Sequence, residues 1–201
     1  IGATLGVATG GTGVGTSPSN GQLLIGNGTG YTLATATAGN GITLTTAAGS
    51  LTIAADYKIT RRTADAANVA GTTLTNDAVL VEALAASDIV AFKCSLRWDN
   101  TNTGDAKFAF TVPAGATLRW NYPAGIGVNA ASTVAQFTAV TSSGAAQEFG
   151  SSGTGNETPT TIEGIVVNST TTGDLQLQYA ENTANSAVIM KANSYCMYWR
   201  N

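Results

Sequence analysis

The stretch V-A-F-K-C-S-L-R-W, residues 90–98, places an apolar side chain at every second position. A period of two is typical of a β-strand with one buried face, because successive side chains point to opposite sides of a sheet. Clusters of Gly, Asn, Asp, Ser and Thr, such as 99–105 and 171–174, predict turns between such strands. The same alternation recurs after residue 55 at 59–61, 106–112, 118–122, 134–140, 162–167, 175–179, 188–190 and 195–199. We therefore predict an all-β fold in which residues 56–201 form a head domain, an antiparallel β-sandwich of jelly-roll-like type.

One segment of this sandwich is ambiguous. Residues 78–85, A-V-L-V-E-A-L-A, fit a helical period as well as an extended one. Their neighbours are rich in β-forming residues, and the following Ala86-Ser87-Asp88 is turn-like. We predict a strand here.

The charges of the chain are confined to its second part. Only 10% of the 201 residues are charged, and the first charged residue is Asp56. The uncharged segment 1–55 holds 13 of the 24 glycines and 12 threonines. A single chain of this composition buries too little apolar surface to offset the entropy lost on ordering, so a flexible linker is the default interpretation.

Two hairpin patterns argue against a linker. Q-L-L-I at 22–25 and Y-T-L-A at 31–34 flank a glycine turn, and I-T-L-T at 42–45 is followed by S-L-T-I at 50–53. Isolated hairpins are marginal in water, and neither has a third strand to cover it. We therefore predict that residues 1–55 form a fibrous β shaft whose open edges are covered by further copies of the same chain.

The composition also argues against most kinds of catalytic site and metal site. The chain has no His, which removes the commonest general base and the commonest metal ligand, and its 12 acidic residues are thinly spread. We predict no catalytic residue, no cofactor and no metal site. The net charge is −3, and Arg61-Arg62 is the only pair of adjacent cations, so we expect no nucleic-acid partner and no membrane partner.

Loops carry the candidate contact residues. Loops of a sandwich cluster at its two ends, and one end is then free to meet a ligand. The longest loop-like stretch, 141–159, has Phe149 as its only large apolar residue, so we expect it to add little to the core. Residues 100–103 and 121–131 are the next candidates.

Aromatic residues flank the two shorter stretches. A polar side chain beside a rigid ring suits a glycan, and Trp98 and Tyr122 stand where a predicted strand gives way to a loop, so we expect both to be exposed. The candidate receptor-contact residues are Trp98, Asn100, Asn102 and Tyr122.

The uncharged segment resembles the repeat-rich shafts of bacteriophage tail fibres. The similarity lies in G-G-T-G at 10–13, G-Q-L-L-I-G-N-G at 21–28, A-G-N-G-I-T-L at 38–44 and G-S-L-T-I at 49–53. The later part is similar to the head domains that follow such shafts, in T-T-L-T-N-D at 72–77, K-F-A-F-T-V-P-A-G-A at 107–116 and L-Q-L-Q-Y-A at 175–180.

This resemblance implies a homotrimer with an intertwined shaft and a β-sandwich head, located in the virion and assembled in the cytoplasm of a host bacterium. Its partners would be other virion proteins and a bacterial surface glycan or protein. A tail fibre that binds a receptor is the leading expectation. A structural head or neck fibre without receptor binding is the alternative, and a glycan depolymerase is disfavoured by the sparse carboxylates.

The two cysteines, Cys94 and Cys196, fit no metal-ligand spacing. Both fall in predicted strands, and assembly in a reducing cytoplasm would keep them reduced. We predict two free buried thiols.

Overall fold

A computed structural model describes residues 5–7, 10–39, 41–101, 104–123, 137–183 and 187–200. The chain divides into two compact units, Ile1–Asp56 and Tyr57–Asn201, to which we refer as the shaft and the head. The strands of the described residues are β1 (Gln22–Gly26), β2 (Tyr31–Thr35), β3 (Ile42–Ala47), β4 (Ser50–Ala55), β5 (Tyr57–Arg61), β6 (Val69–Ala70), β7 (Thr75–Leu84), β8 (Ile89–Asn100), β9 (Ala106–Thr111), β10 (Thr117–Pro123), β11 (Phe137–Val140), β12 (Gln147–Phe149), β13 (Thr158–Val167), β14 (Gly173–Glu181), β15 (Ala187–Met190) and β16 (Tyr195–Arg200).

The shaft contains the two predicted hairpins. β1 pairs antiparallel with β2, and β3 pairs antiparallel with β4. Gly28 and Gly49 lie in the turns with φ of 91° and 69°, a left-handed conformation that favours glycine because it has no Cβ. Among the described residues, every member of the buried core belongs to the head, so neither hairpin has a core in the single chain.

The larger sheet of the head is built around β8. One edge of β8 pairs along its length with β13, which pairs with β10, and β10 pairs with β11. The other edge is shared by two strands: β16 pairs with the first half of β8 and then with β5, whereas β15 pairs with its end and then with β6. All these pairings are antiparallel.

The smaller sheet has the order β12-β9-β14-β7, also antiparallel. Its inward side chains pack against those of the larger sheet, so the core lies between the two sheets. Ring contacts with centroids 4.7–5.8 Å apart connect seven aromatic residues across this core. In order they are Phe92, Phe110, Trp120, Tyr122, Phe149, Phe108 and Trp98. The prediction of an all-β chain with an antiparallel sandwich is confirmed.

Two local predictions have different outcomes. Residues 78–84 of the ambiguous segment 78–85 lie in β7, and the strand prediction is confirmed. The expectation that 141–159 adds little to the core is wrong at Phe149, which is 7% exposed and contacts the rings of Phe108 and Tyr122. Its strand, β12, has only three residues and is otherwise polar, so alternation does not reveal it.

The prediction of two free thiols is also wrong. Cys94 and Cys196 form a disulfide, and the described residues contain no free cysteine. The two residues lie directly opposite each other on β8 and β16, with their Cα atoms 4.0 Å apart and both side chains buried. The disulfide therefore links the last strand of the chain to the central strand of the larger sheet.

Candidate functional site

Trp98 does not lie at a loop. β8 continues for two residues beyond it, and its side chain is fully buried. The indole Nε1 donates a hydrogen bond to Thr160 Oγ1 at 2.9 Å, and the ring meets Phe108 edge-on at 5.8 Å. The expectation that Trp98 is exposed for ligand contact is wrong, because the ring points between the two sheets.

Tyr122 is likewise a core residue. It is 9% exposed, since β10 continues to Pro123 in pairing with β11. Its ring packs on Phe149 at 4.7 Å, and its hydroxyl donates to Gln147 Oε1 at 2.9 Å. The predicted exposure of Tyr122 is therefore wrong as well. Of the candidate stretch 121–131, the positions after 123 lie outside the described residues.

Asn100 is buried at the end of β8, with 1% of its surface exposed. Its amide Nδ2 donates to the carbonyl oxygen of Gly104, which closes the turn between β8 and β9. A buried amide that closes a turn is not presented to a receptor. Asn102 lies outside the described residues.

The loops around Asn100 nevertheless come together at one end of the head. The Oδ1 atom of Asp99 accepts a hydrogen bond from the backbone N–H of Gly155 at 3.1 Å, and Asp105 Oδ1 accepts one from that of Ser151 at 3.1 Å. Two carboxylates, that of Asp99 at the end of β8 and that of Asp105 just before β9, thus hold the loop between β12 and β13.

A third loop joins these two. The carbonyl oxygen of Asp105 accepts from the N–H of Asn182 at 2.8 Å, just after β14. Thr101 and Ala187 exchange two hydrogen bonds of 3.0 and 2.9 Å at the start of β15. We define the loop end as the described residues of the β8–β9, β12–β13 and β14–β15 connections.

The exposed side chains of the loop end are short and polar. Ser152, Thr154 and Asn156 are exposed on a loop whose backbone is held by the carboxylates of Asp99 and Asp105. Hydroxyl and amide groups on a fixed backbone can exchange hydrogen bonds with a polyhydroxylated ligand at small entropic cost.

Charged groups border the loop end. Arg97 and Glu157 form an ion pair with Nη2 and Oε2 2.5 Å apart. The pKa of Lys191 is raised above its usual range, mainly by its hydrogen bond to Asp65 and less by the negative charges of Asp65, Asp99 and Glu157. In the described part of the chain no three His, Cys, Asp or Glu side chains are grouped as metal ligands.

The opposite end of the head is where its chain begins. The turns after β7, β9 and β13 meet there: Asn168 Nδ2 donates to Ala85 O at 2.7 Å, and Ser169 Oγ donates to Ala114 O at 2.8 Å. Tyr57, the first head residue, pairs with Trp199 near the start of β8. The loop end therefore lies away from the point where the chain enters the head.

The sequence reasoning missed a second surface, the outer face of the larger sheet. Ile165-Val166-Val167 is apolar at three successive positions, which is typical of a strand covered on both faces. Only Val166 points into the core, while Ile165 and Val167 are 40% and 44% exposed. That run was the signal from which an additional covered face could have been predicted.

The chain matches no protein-family model and no curated protein. Within the described residues, no helix has the length and apolar character needed to cross a membrane.

Proposed function

We propose that this chain is the subunit of a bacteriophage virion fibre, a homotrimer with an intertwined shaft and a receptor-binding head. In this proposal it is a tail fibre, joined to other virion proteins, whose head contacts a glycan or protein of the bacterial surface. The chain acts by binding and has no catalytic role.

The shaft carries the main support for this proposal. Leu24 is 44% exposed and Ile53 is 66% exposed in the single chain. Neither of their strands contains a charged residue. Two-stranded hairpins with uncovered apolar side chains are marginal in water and pair readily at their open edges. Copies of the same chain would cover these residues and would make charge unnecessary for solubility.

The strand order of the head is consistent with the proposal. Let β5, β7, β8, β9, β12, β13, β14 and β16 be strands one to eight; one sheet then has the order 1-8-3-6 and the other 2-7-4-5. We interpret this order as the double Greek key of a jelly roll, a fold found in viral proteins. β10 and β11 extend the first sheet beyond β13 as an added hairpin.

The loop end is the proposed host-contact surface. It lies at the end of the head away from Tyr57, and its exposed groups are hydroxyls and amides on loops fixed by Asp99 and Asp105. Such a surface would hydrogen-bond to a glycan without an aromatic platform.

A structural head or neck fibre is the second candidate. The burial of Trp98, Asn100 and Tyr122 favours it, because these are three of the four predicted contact residues and none of the three is available to a receptor. The two candidates differ only in whether the loop end binds the host.

The test has two parts. Light scattering of the full chain should give three times the single-chain mass, and a single-chain mass would refute the trimer. A labelled full-length chain should bind host cells, and Thr154→Ala with Asn156→Ala should weaken that binding roughly tenfold, as expected for two lost hydrogen bonds.

A matched control comes from the opposite end of the head. Thr170 and Thr172 are exposed there, so Thr170→Ala with Thr172→Ala should bind cells as the unaltered chain does. A trimer that binds no host cells would instead support the structural fibre.

A further inference from the structure

Among the described residues of the head, the exposed large apolar side chains lie on one face. Within the described part of the head they are Tyr57, Ile59, Ile165, Val167 and Trp199, each at least 40% exposed. All five point outward from the larger sheet, on β5, β13 and β16. The outer face of the smaller sheet differs, since Lys107, Gln176 and Gln178 point outward there. Exposed apolar patches of this kind mark interaction surfaces.

This face has a raised edge and a hollow. The raised edge, which we call the β5 ridge, consists of Tyr57 and Ile59, 55% and 52% exposed on an outer strand. In register across the sheet, Tyr57 lies beside Trp199, and Trp199 beside Ala91. Because Ala91 is small, the surface falls away beyond Trp199.

The hollow is a groove of about 470 Å³, which we call the sheet groove. Ala91 and Ile165 lie beside each other in it, and its lining also includes Trp199, Lys93, Glu163 and Arg119. The two charged groups Lys93 Nζ and Glu163 Oε2 are 4.0 Å apart on its polar side. A side chain that is apolar with a polar tip fits such a lining, and Tyr57 is one.

The connection of the chain points to a second copy as the occupant. β4 ends at Ala55 and β5 begins at Tyr57, so only Asp56 separates the shaft hairpin from the β5 ridge. Consecutive Cα atoms are about 3.8 Å apart. If shafts associate, as in the proposed function on which this inference rests, the β5 ridges of the copies are held close together.

We infer that the β5 ridge of one copy packs into the sheet groove of the next. Ridge and groove are different parts of one face, so the contact is heterologous, and among three copies joined by their shafts it would close into a ring. Five strands at about 4.8 Å and nine residues of β8 at about 3.4 Å give a face on the order of 500 Å². Each contact uses the ridge of one copy and the groove of the next, so it buries about this area in total, which is less than the roughly 1,600 Å² of a stable interface. The contact therefore depends on the shafts to hold the copies together.

An engineered disulfide tests the contact. Tyr57→Cys with Ile165→Cys places one thiol on the ridge and one in the groove, three strands apart within a chain. That separation is about 14 Å, well beyond the 7 Å limit for a disulfide, so only two copies can form the bond. Cys94 and Cys196 are already paired and do not compete. Mild oxidation of the full-length variant should yield a reductant-sensitive three-chain band on a denaturing gel.

The matched control moves one thiol to the other sheet. Glu148 is exposed on the outer face of the smaller sheet, so Glu148→Cys with Ile165→Cys should stay at the single-chain position. Equal cross-linking of both variants would overturn the inference, because it would indicate random encounters.

Tryptophan quenching tests the unaltered face. Of the three tryptophans, Trp98 and Trp120 are buried and Trp199 is 40% exposed in the single chain. If a second copy covers Trp199, Trp199→Phe should leave the acrylamide quenching slope unchanged. A several-fold lower slope in that variant would show that the face is free.

The outcomes separate this inference from the proposed function. A three-chain mass with no cross-link and a quenchable Trp199 would overturn the inference but not the trimer. The outer face of the larger sheet would then be available to another partner. A single-chain mass refutes the trimer and the inference together.

Discussion

The shaft and the head are built from the same strand pattern, but they differ in what covers it. In β8 of the head, Val90, Phe92 and Leu96 are at most 2% exposed, because the smaller sheet lies over them. In the shaft, Ile42 and Ile53 lie next to threonines in strands with the same alternation and remain 37% and 66% exposed. Alternation therefore identifies a strand with an apolar face, whereas the partner that covers this face has to be found separately.

The largest difference between head and shaft variants should appear in the free energy of unfolding of the head when one apolar side chain is truncated in either unit. Phe110 in the head is 1% exposed and contacts the rings of Phe92 and Trp120 at 4.8 and 5.5 Å. Phe110→Ala should lower the free energy of unfolding of the head by about 3–5 kcal/mol. Urea unfolding followed by tryptophan fluorescence measures this, since the fluorescence of all three tryptophans comes from the head.

The matched shaft variant is Ile53→Ala. It should leave the unfolding midpoint of the head unchanged and weaken association of the copies. Equal shifts from the two variants would break the comparison, because they would show that shaft and head unfold as one unit.

The disulfide should be the next largest contribution, and it belongs to the head alone. It joins residues 102 positions apart, and closing so long a loop restricts the unfolded chain. Reduction should lower the free energy of unfolding of the head by about 2–5 kcal/mol. Thiol titration of denatured protein should find no thiols before reduction and two afterwards.

The control for the disulfide is Cys94→Ala with Cys196→Ala, whose stability should not respond to reductant. Two thiols titrated before reduction would restore the original expectation of free cysteines.

Local patterns predicted most strands of the head but not their long-range contacts. The alternation at 90–98 located β8, because one-sided burial leaves a period of two. It could not show that Cys196 would lie opposite Cys94, since that pairing depends on the register of two strands about a hundred residues apart in the sequence.

The candidate contact residues failed for a related reason. Trp98 and Tyr122 were expected at strand ends, yet β8 and β10 continue past them, so both rings stay in the core. Strand ends are set by pairing with neighbours, which a single segment does not reveal. By contrast, the apolar run 165–167 is typical of a strand covered on both faces, so the sequence alone could indicate that the outer face of the larger sheet is a contact surface.

One glycine in the head and one in the shaft should resist substitution for different reasons, close packing in the head and backbone conformation in the shaft. Gly164 lies on β13, where a Cβ would come within 2.7 Å of Phe92 and Trp120 and 2.5 Å of the Arg119 carbonyl oxygen. Gly164→Ala should therefore lower the free energy of unfolding of the head by about 1–3 kcal/mol. Thermal unfolding of the full chain measures it, and an unchanged melting temperature of the head in this variant would contradict the close packing of β13.

In the shaft, Gly28 has φ of 91° and nothing within 4 Å of an added Cβ. Gly28→Ala should cost about 1–2 kcal/mol of backbone strain in its hairpin and leave the head unaffected. A lowered melting temperature of the head in Gly28→Ala would show that the two units do not unfold separately.

The smallest expected effect is a pH dependence of the head in acid. The shaft has Asp56 as its one acidic residue, whereas Asp65 of the head hydrogen-bonds to Lys191 and to the N–H of Ala192. Chiefly the Lys191 hydrogen bond lowers the pKa of Asp65 below its usual value of 3.8. A lowered pKa in the folded state means that the contact stabilises the head above pH 3.8 and that this contribution is lost as the pH falls through the folded value. Asp65→Asn should therefore reduce the acid-induced fall in the melting temperature of the head between about pH 5 and about pH 2. Asp174→Asn, which removes an equal charge from an exposed position on β14, is the control, and an equal change in both variants would assign the effect to net charge instead of to the Asp65 contact.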